Sequence, residues 1–226
     1  KSHKGNNGKV LIVGGSKEYS GAPSIAGLAA IGAGADLVYV EAPESAALAI
    51  STHPDLIVNS LKGDYLTAIH AEEILKMADK VDAVLLGPGA GINDETGKLL
   101  NILASKIKKP LVLDADALKQ VKPQIIKNRD DVILTPHIFE FKSFFGKDIK
   151  LDLDSYDFAE VDEEISEFQQ VVRQINGAVV VKGAIDLVIQ KNKVKLNKSG
   201  NPGMAVGGTG DALAGIATSL LSKGLN

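Results

Sequence analysis

Cysteine is absent from the 226 residues. That excludes a disulfide framework and any cysteine-built metal site, and it fits a reducing compartment, with the cytoplasm the expected one. An excess of positive charge is missing as well. The 25 Lys and Arg face 28 Asp and Glu for a formal charge of −3, so there is no broad basic field to hold nucleic acid, and no such partner is expected. No apolar run approaches the roughly 20 residues of a bilayer-spanning helix, so no membrane partner is expected either. The opening Lys1-Ser2-His3-Lys4-Gly5-Asn6 lacks the charged-then-apolar order of a signal peptide. Low-complexity tracts, Pro-rich linkers and solenoid-length repeats are lacking. His3, His53 and His70 are scattered without ligand spacing, which argues against a histidine-built zinc or iron site. One domain over residues 1–226 is the reading. Its loop-like start, and its end at Lys223-Gly224-Leu225-Asn226 just past a helical stretch, suggest a piece cut from something longer.

Short β-branched and aliphatic runs alternate with longer stretches of helical spacing, the pattern of a mostly parallel sheet covered by helices on both faces. Strands are expected at Val10–Val13, Leu37–Val40, Ala83–Leu86, Leu111–Leu113, Val132–Leu134 and Ala178–Val181. Helices are expected over Ala22–Ile31, Leu66–Ala78, Asp94–Ile107 and Glu160–Ile175, each with apolar residues three and four apart. One stretch departs from simple alternation of strand and helix. The short runs that begin at Asp186 and at Lys193 flank Lys191-Asn192 and read as an antiparallel hairpin at a sheet edge, where lysines would blunt the edge. Lys147–Ser155 is polar enough to be an exposed loop.

Chemistry concentrates where strands end. Gly200, Gly203, Gly207, Gly208 and Gly210 crowd the stretch before Asp211, and a helical run follows directly. Glycines let the backbone approach a ligand, and the first amides of a helix have no intrahelical partner, so Gly208, Thr209 and Gly210 can present N–H groups to a phosphate in transfer. Asp211, in the first turn, is placed to take a proton from a hydroxyl; alternatively it only caps the helix. Further glycine-rich turns follow strands at Gly14-Gly15 and Gly87-Pro88-Gly89-Ala90-Gly91. The spacing from Gly14 to Gly21 does not match a dinucleotide fingerprint. Asp114 and Asp116 end another strand and could hold Mg²⁺ through water. Thr135-Pro136-His137 runs on to Glu140, and Val181-Lys182-Gly183-Ala184-Ile185-Asp186 leads into the hairpin.

Gly207-Gly208-Thr209-Gly210-Asp211 resembles the anion-hole and catalytic-base signature of ribokinase-like enzymes, and Asn201-Pro202-Gly203-Met204-Ala205 narrows the resemblance to the ADP/ATP-dependent NAD(P)H-hydrate dehydratases. The similarity runs from Gly8 to about Gly224 with the motifs in the family's order. It departs at Ile138-Phe139, where the family has Pro-Gly, and at Ala90, where a larger apolar residue is usual.

The resemblance implies a ribokinase-like three-layer α/β sandwich with an antiparallel edge hairpin. It implies a lyase that phosphorylates hydrated NADH or NADPH from ADP or ATP and then eliminates phosphate. Asp211, Gly208, Thr209 and Gly210 would be catalytic; Ala22, Gly89, Gly91, His137 and Asp211 would meet the hydrate. Lys182, Gly183, Ala184, Ile185, Asp186 and Gly210 would seat the nucleotide, with Glu140 and Asp114 placing Mg²⁺. Family members often form homo-oligomers and are often fused to an N-terminal epimerase. A kinase for a vitamin-precursor alcohol such as hydroxyethylthiazole, and a non-catalytic nucleotide-binding module, are the alternatives.

Overall fold

A computed structural model describes residues 3, 5, 7–146 and 161–225. Its strands are β1 (Lys9–Val13), β2 (Leu37–Pro43), β3 (Leu56–Leu61), β4 (Ala83–Leu86), β5 (Leu111–Leu113), β6 (Val132–Leu134), β7 (Ala178–Val181), β8 (Asp186–Gln190) and β9 (Lys193–Asn197). They form one 9-stranded sheet in the order β3-β2-β1-β4-β5-β6-β7-β8-β9. Pairing is parallel from β3 through β7, and antiparallel for β7 with β8 and β8 with β9. The expected strands are all there, and so is the edge hairpin.

The helices are α1 (Ala22–Gly32), α2 (Glu44–Ile50), α3 (Ala71–Ala78), α4 (Asp94–Lys106), α5 (Asp116–Gln120), α6 (Pro123–Ile126), α7 (Ile138–Phe145), α8 (Val161–Val172) and α9 (Thr209–Ser222). Alternate residues of one strand feed opposite cores. Val10 and Ile12 pack with Ala26 and Ala30 of α1 and Ala214 of α9, whereas Leu11 and Val13 pack with Ile74 of α3, Leu99 of α4 and Phe141 of α7. Burial on both faces is why the inner strands are continuous aliphatic runs. Gly215 lets α9 lie directly on α1, since a Cβ there would overlap the Ala26 carbonyl oxygen.

Several elements depart from expectation. β3, α2, α5, α6 and α7 are not in the sequence reading, and the single helix expected over Leu66–Ala78 is a short 3-10 turn at Ala68–His70 followed by α3. Thr67 makes the break: its side chain accepts from the His70 backbone while the His70 ring accepts from Thr67 N–H at 3.0 Å. The expected loop Lys147–Ser155, and the helix start at Glu160, lie outside the described residues. No helix among the described residues is long and apolar enough to cross a membrane.

Chain order reverses between β1 and β4: the strands run outward to β2 and β3 on one side and to β5, β6 and β7 on the other. Loops after adjacent strands must diverge there, which opens a crevice at the strands' carboxyl ends. Every glycine-rich turn singled out above opens onto that end.

Candidate active site at the carboxyl ends of the strands

The β1 and β4 turns are locked together: Gly15 N–H donates to Pro88 O at 2.9 Å and Gly87 N–H to Val13 O at 3.0 Å. Gly89 is as close to the next helix, for a Cβ on it would lie 3.2 Å from the Ala22 methyl. A Cβ on Gly91 would lie 3.3 Å from the Tyr65 ring. Ala22, Gly89 and Gly91 therefore share one wall of the crevice.

The glycine-rich loop enters from the other side. Gly208, with φ +94, precedes α9 and makes no side-chain cap; a Cβ on it would press on Ile25 of α1. Among the described residues, the N–H groups of Gly207, Gly208, Gly210 and Asp211 donate to no protein acceptor. Thr209 differs from its neighbours. Its N–H reaches Val206 O at 3.4 Å and its hydroxyl donates to Met204 O at 2.9 Å, so it braces the loop from within. Four unpartnered amides at the positive end of a 14-residue helix are the groups that could receive an anion.

Beside this loop lies a cluster of charge. Lys182 Nζ is 3.0 Å from Asp114 Oδ1, which also accepts from the Thr135 hydroxyl at 2.7 Å. The same ammonium is 4.0 Å from Glu140 Oε2 and 3.1 Å from where a Cβ on Gly210 would sit. Lys119 Nζ bridges Asp116 Oδ1 at 3.2 Å and Glu140 Oε1 at 3.9 Å. Asp114, Glu140 and Asp116 are only 1%, 5% and 8% exposed. Asp211 is half-buried, and desolvation, then the Asp114 charge, pushes its carboxyl up to about 6, with Lys182 opposing. Ala115, between the two strand-end aspartates, takes φ +49, a strained conformation for a residue with a Cβ.

His137 and Glu140 build a reciprocal cap. His137 Nδ1 accepts from Phe139 and Glu140 N–H at 3.1 and 3.2 Å, and Glu140 Oε2 accepts from His137 N–H at 3.0 Å. With Nδ1 an acceptor, the proton is assigned to Nε2, 3.3 Å from Glu140 Oε1. Burial holds the imidazole below its ordinary pKa, against the pull of Glu140. So Ile138-Phe139 still permits the turn. His137→Ala is expected to lose the cap and about 0.5–2 kcal/mol of stability, whereas His137→Asn keeps an acceptor and its melting temperature while losing activity. An Asn variant as unstable as the Ala one, by thermal denaturation, would count against this division of roles.

Gly183 to Asp186 form the turn between β7 and β8, closed by Gly183 N–H donating to Asp186 Oδ1 at 3.2 Å. Ala184 O stands 3.0 Å from where a Cβ on Gly200 would be, which joins this turn to the start of the glycine-rich loop. Ile185 is buried. The site residues from the sequence thus stand on loops at the carboxyl ends of the strands, and Lys119, Gln120 and Tyr65, which sequence reading missed, contact some of them. Lys119 and Gln120 stand three and four residues after Asp116, a spacing that places them on its side of a helix.

Sheet order, the antiparallel edge and the glycine-rich start of α9 define a ribokinase-like α/β protein. A ribokinase-like superfamily protein from Enterococcus faecalis matches with TM-score 0.80 and 24% identity over 99% of this chain and 74% of its own, a likeness of fold. Residues 10–225 match the NAD(P)H-hydrate dehydratase family, and the chain belongs to it. The bifunctional NAD(P)H-hydrate repair enzyme Nnr of Methanothermobacter thermautotrophicus is 47% identical over 229 residues, covering 100% of this chain and 43% of that protein. The chain thus spans less than half the length of this relative. The ADP-dependent (S)-NAD(P)H-hydrate dehydratase of Nitrosopumilus maritimus is 35% identical, covering 99% of this chain and 76% of that protein. An ADP/ATP-dependent NAD(P)H-hydrate dehydratase from Bacillus subtilis, co-crystallized with ATP/Mg²⁺, matches with TM-score 0.71 and 25% identity over 98% of this chain and 75% of that one.

Proposed function

We propose that this chain dehydrates hydrated NADH or NADPH, using ADP or ATP to phosphorylate the hydrate hydroxyl before phosphate leaves. The observation that carries the reading is the run of unpartnered amides at Gly207, Gly208, Gly210 and Asp211 facing the Lys182 ammonium, with the Asp211 carboxyl in the same turn. Phosphoryl transfer needs alignment, charge stabilisation and a base. On this reading the Gly208 and Gly210 amides stabilise the moving phosphoryl group, Thr209 holds their loop in shape, and Asp211 takes the hydroxyl proton. Ala22, Gly89, Gly91 and His137 line the hydrate's side. Lys182 and the Gly183–Asp186 turn seat the nucleotide, with the Lys182 ammonium at its phosphate end. The name of the Nitrosopumilus maritimus relative favours ADP as co-substrate.

Mg²⁺ is part of the proposal, and the donor chemistry fits it. Asp114, Asp116, Glu140 and Asp211 set four carboxylates against the ammonium groups of Lys119 and Lys182, an excess that a divalent cation matches. Among the described residues no group of three or more His, Cys, Asp or Glu could cage an ion. The fitting mode is a hydrated ion held by Glu140 and Asp114 through water and by phosphate oxygens; when bound, it would offset phosphate charge. The cytoplasm, from the lack of cysteine, and a homo-oligomer, following the family resemblance, are the proposed setting, and fusion to an epimerase accords with the relatives named bifunctional.

The test supplies hydrated NADH, ADP and Mg²⁺. The expected result is recovery of reduced-nicotinamide absorbance with stoichiometric phosphate release. Phosphorylation of a thiazole alcohol without dehydration would favour the kinase alternative, and binding of ADP without turnover on any substrate would favour a non-catalytic module.

A further inference from the structure

Helix α5 carries no reacting group in the mechanism above, yet two of its side chains grip the substrate-side turn. Asp116 Oδ2 accepts from Gly91 N–H at 2.9 Å, a buried bond, and Gln120 Nε2 donates to Gly91 O at 2.8 Å. Gln120 Oε1 also accepts from Asn93 N–H at 3.3 Å, two residues further along the same chain segment. Both polar groups of Gly91 are therefore held by side chains of one helical turn. Gly91 itself needs φ +83, and it faces Tyr65 and Ser16 across the crevice wall. The turn follows Gly87 and Gly89, also at positive φ, and its first half is fixed by backbone bonds, among them Ala90 N–H to Gly87 O at 3.0 Å. At Gly91 the constraint comes from side-chain hydrogen bonds outside the turn.

The grip reaches the other half of the site. Asp116 pairs through Oδ1 with Lys119, and Lys119 approaches Glu140, the partner of His137. The wall carrying Gly89 and Gly91 is thereby tied to the elements carrying His137 and Lys182. We infer that Gln120 and Asp116 are positioning residues, which set where the hydrate lies relative to the phosphoryl-transfer centre by holding both the N–H and the C=O of Gly91. The inference rests on the dehydratase reading for its substrate, though the clamp can be measured without it. Because the turn offers backbone surface rather than a reacting group, its loss acts on binding that is uniform between ground and transition states, which appears in KM.

The experiment uses the full chain and two variants. Gln120→Ala removes the contacts to Gly91 O, Asn93 N–H and Asp116 O; Gln120→Glu keeps the acceptor for Asn93 but cannot donate to Gly91 O or Asp116 O. Both are expected to raise KM for hydrated NADH about tenfold, with kcat and KM for ADP within about threefold. In parallel, hydrogen exchange of the Asn93 amide, which donates to Gln120 Oε1, is followed by NMR and is expected to quicken about tenfold in Gln120→Ala. Faster exchange with an unchanged hydrate KM would overturn the positioning role. Wild-type exchange in Gln120→Ala would overturn the clamp itself, and a wild-type-like KM in Gln120→Glu would overturn Gly91 as the operative contact. A native protein without dehydratase activity would instead sink the functional reading, leaving the exchange rates to decide on the clamp.

Discussion

Asp211→Asn is expected to lower turnover by about 10²–10⁴ while the protein folds as before. The substitution keeps shape and removes only the ability to hold a proton. Burial and the Asp114 charge place the Asp211 carboxyl at about 6, so kcat/KM of the native protein should fall as pH drops through that value, and this acid limb should vanish from the residual activity of the variant. Stability gives an independent reading with its own sign. A carboxyl whose folded pKa is raised makes the folded state bind more protons than the unfolded state between roughly pH 4 and 6, so this group favours folding as pH falls through that window. At pH 8 the native protein carries a desolvated charge that the amide of the variant lacks. Asp211→Asn should therefore melt no lower than the native protein there, with the difference narrowing below pH 6. Near-normal turnover in Asp211→Asn would remove Asp211 as the base. A large loss of melting temperature would recast it as a structural cap.

How much of this was written in the sequence depends on what each residue was competing with. The inner strands are legible because Val10–Val13, Ala83–Leu86 and Leu111–Leu113 are buried on both faces and carry no polar interruption. β3 is hidden by Asn59 and Ser60, whose polarity suits an outer strand: Asn59 donates to the buried Glu41 at 2.8 Å across the β2 pairing, a tertiary contact no local pattern reveals. The break at Thr67 and His70 is similar, since a histidine accepting a backbone N–H looks like any residue on a helical face. Within the site, the glycines and Asp211 are legible because tight turns and helix starts restrict residue type. Lys182 is legible as a charge beside the nucleotide, but its pairing with Asp114, 68 positions away in sequence, depends on β5 and β7 flanking β6. Lys119 and Gln120 read as ordinary helix residues until α5 is set against Gly91 and Glu140.

Lys182→Met is expected to have the other large effect, on stability and rate together. Asp114 is 1% exposed, and among the described residues its carboxylate would keep only the Thr135 hydroxyl without Lys182. Breaking a buried ion pair from one side typically costs about 3–5 kcal/mol, much of it the stranded charge, whereas neutralising both partners recovers most of the loss. Asp114→Asn/Lys182→Met should therefore melt well above Lys182→Met alone. Activity should not follow stability. The ammonium also lies against Gly210 at the amide site, so its removal is expected to cost about 10²–10³ in rate in the single and the double variant alike. The pH profiles add a directional check. Lys182 holds the Asp211 pKa down and Asp114 holds it up, so the acid limb should move above pH 6 in Lys182→Met and below it in Asp114→Asn. Shifts in the same direction would show that the titrating group is not Asp211. Recovery of full turnover in the double variant would confine Lys182 to neutralising a buried carboxylate, and the phosphate contact would have to come from the amides of α9 alone.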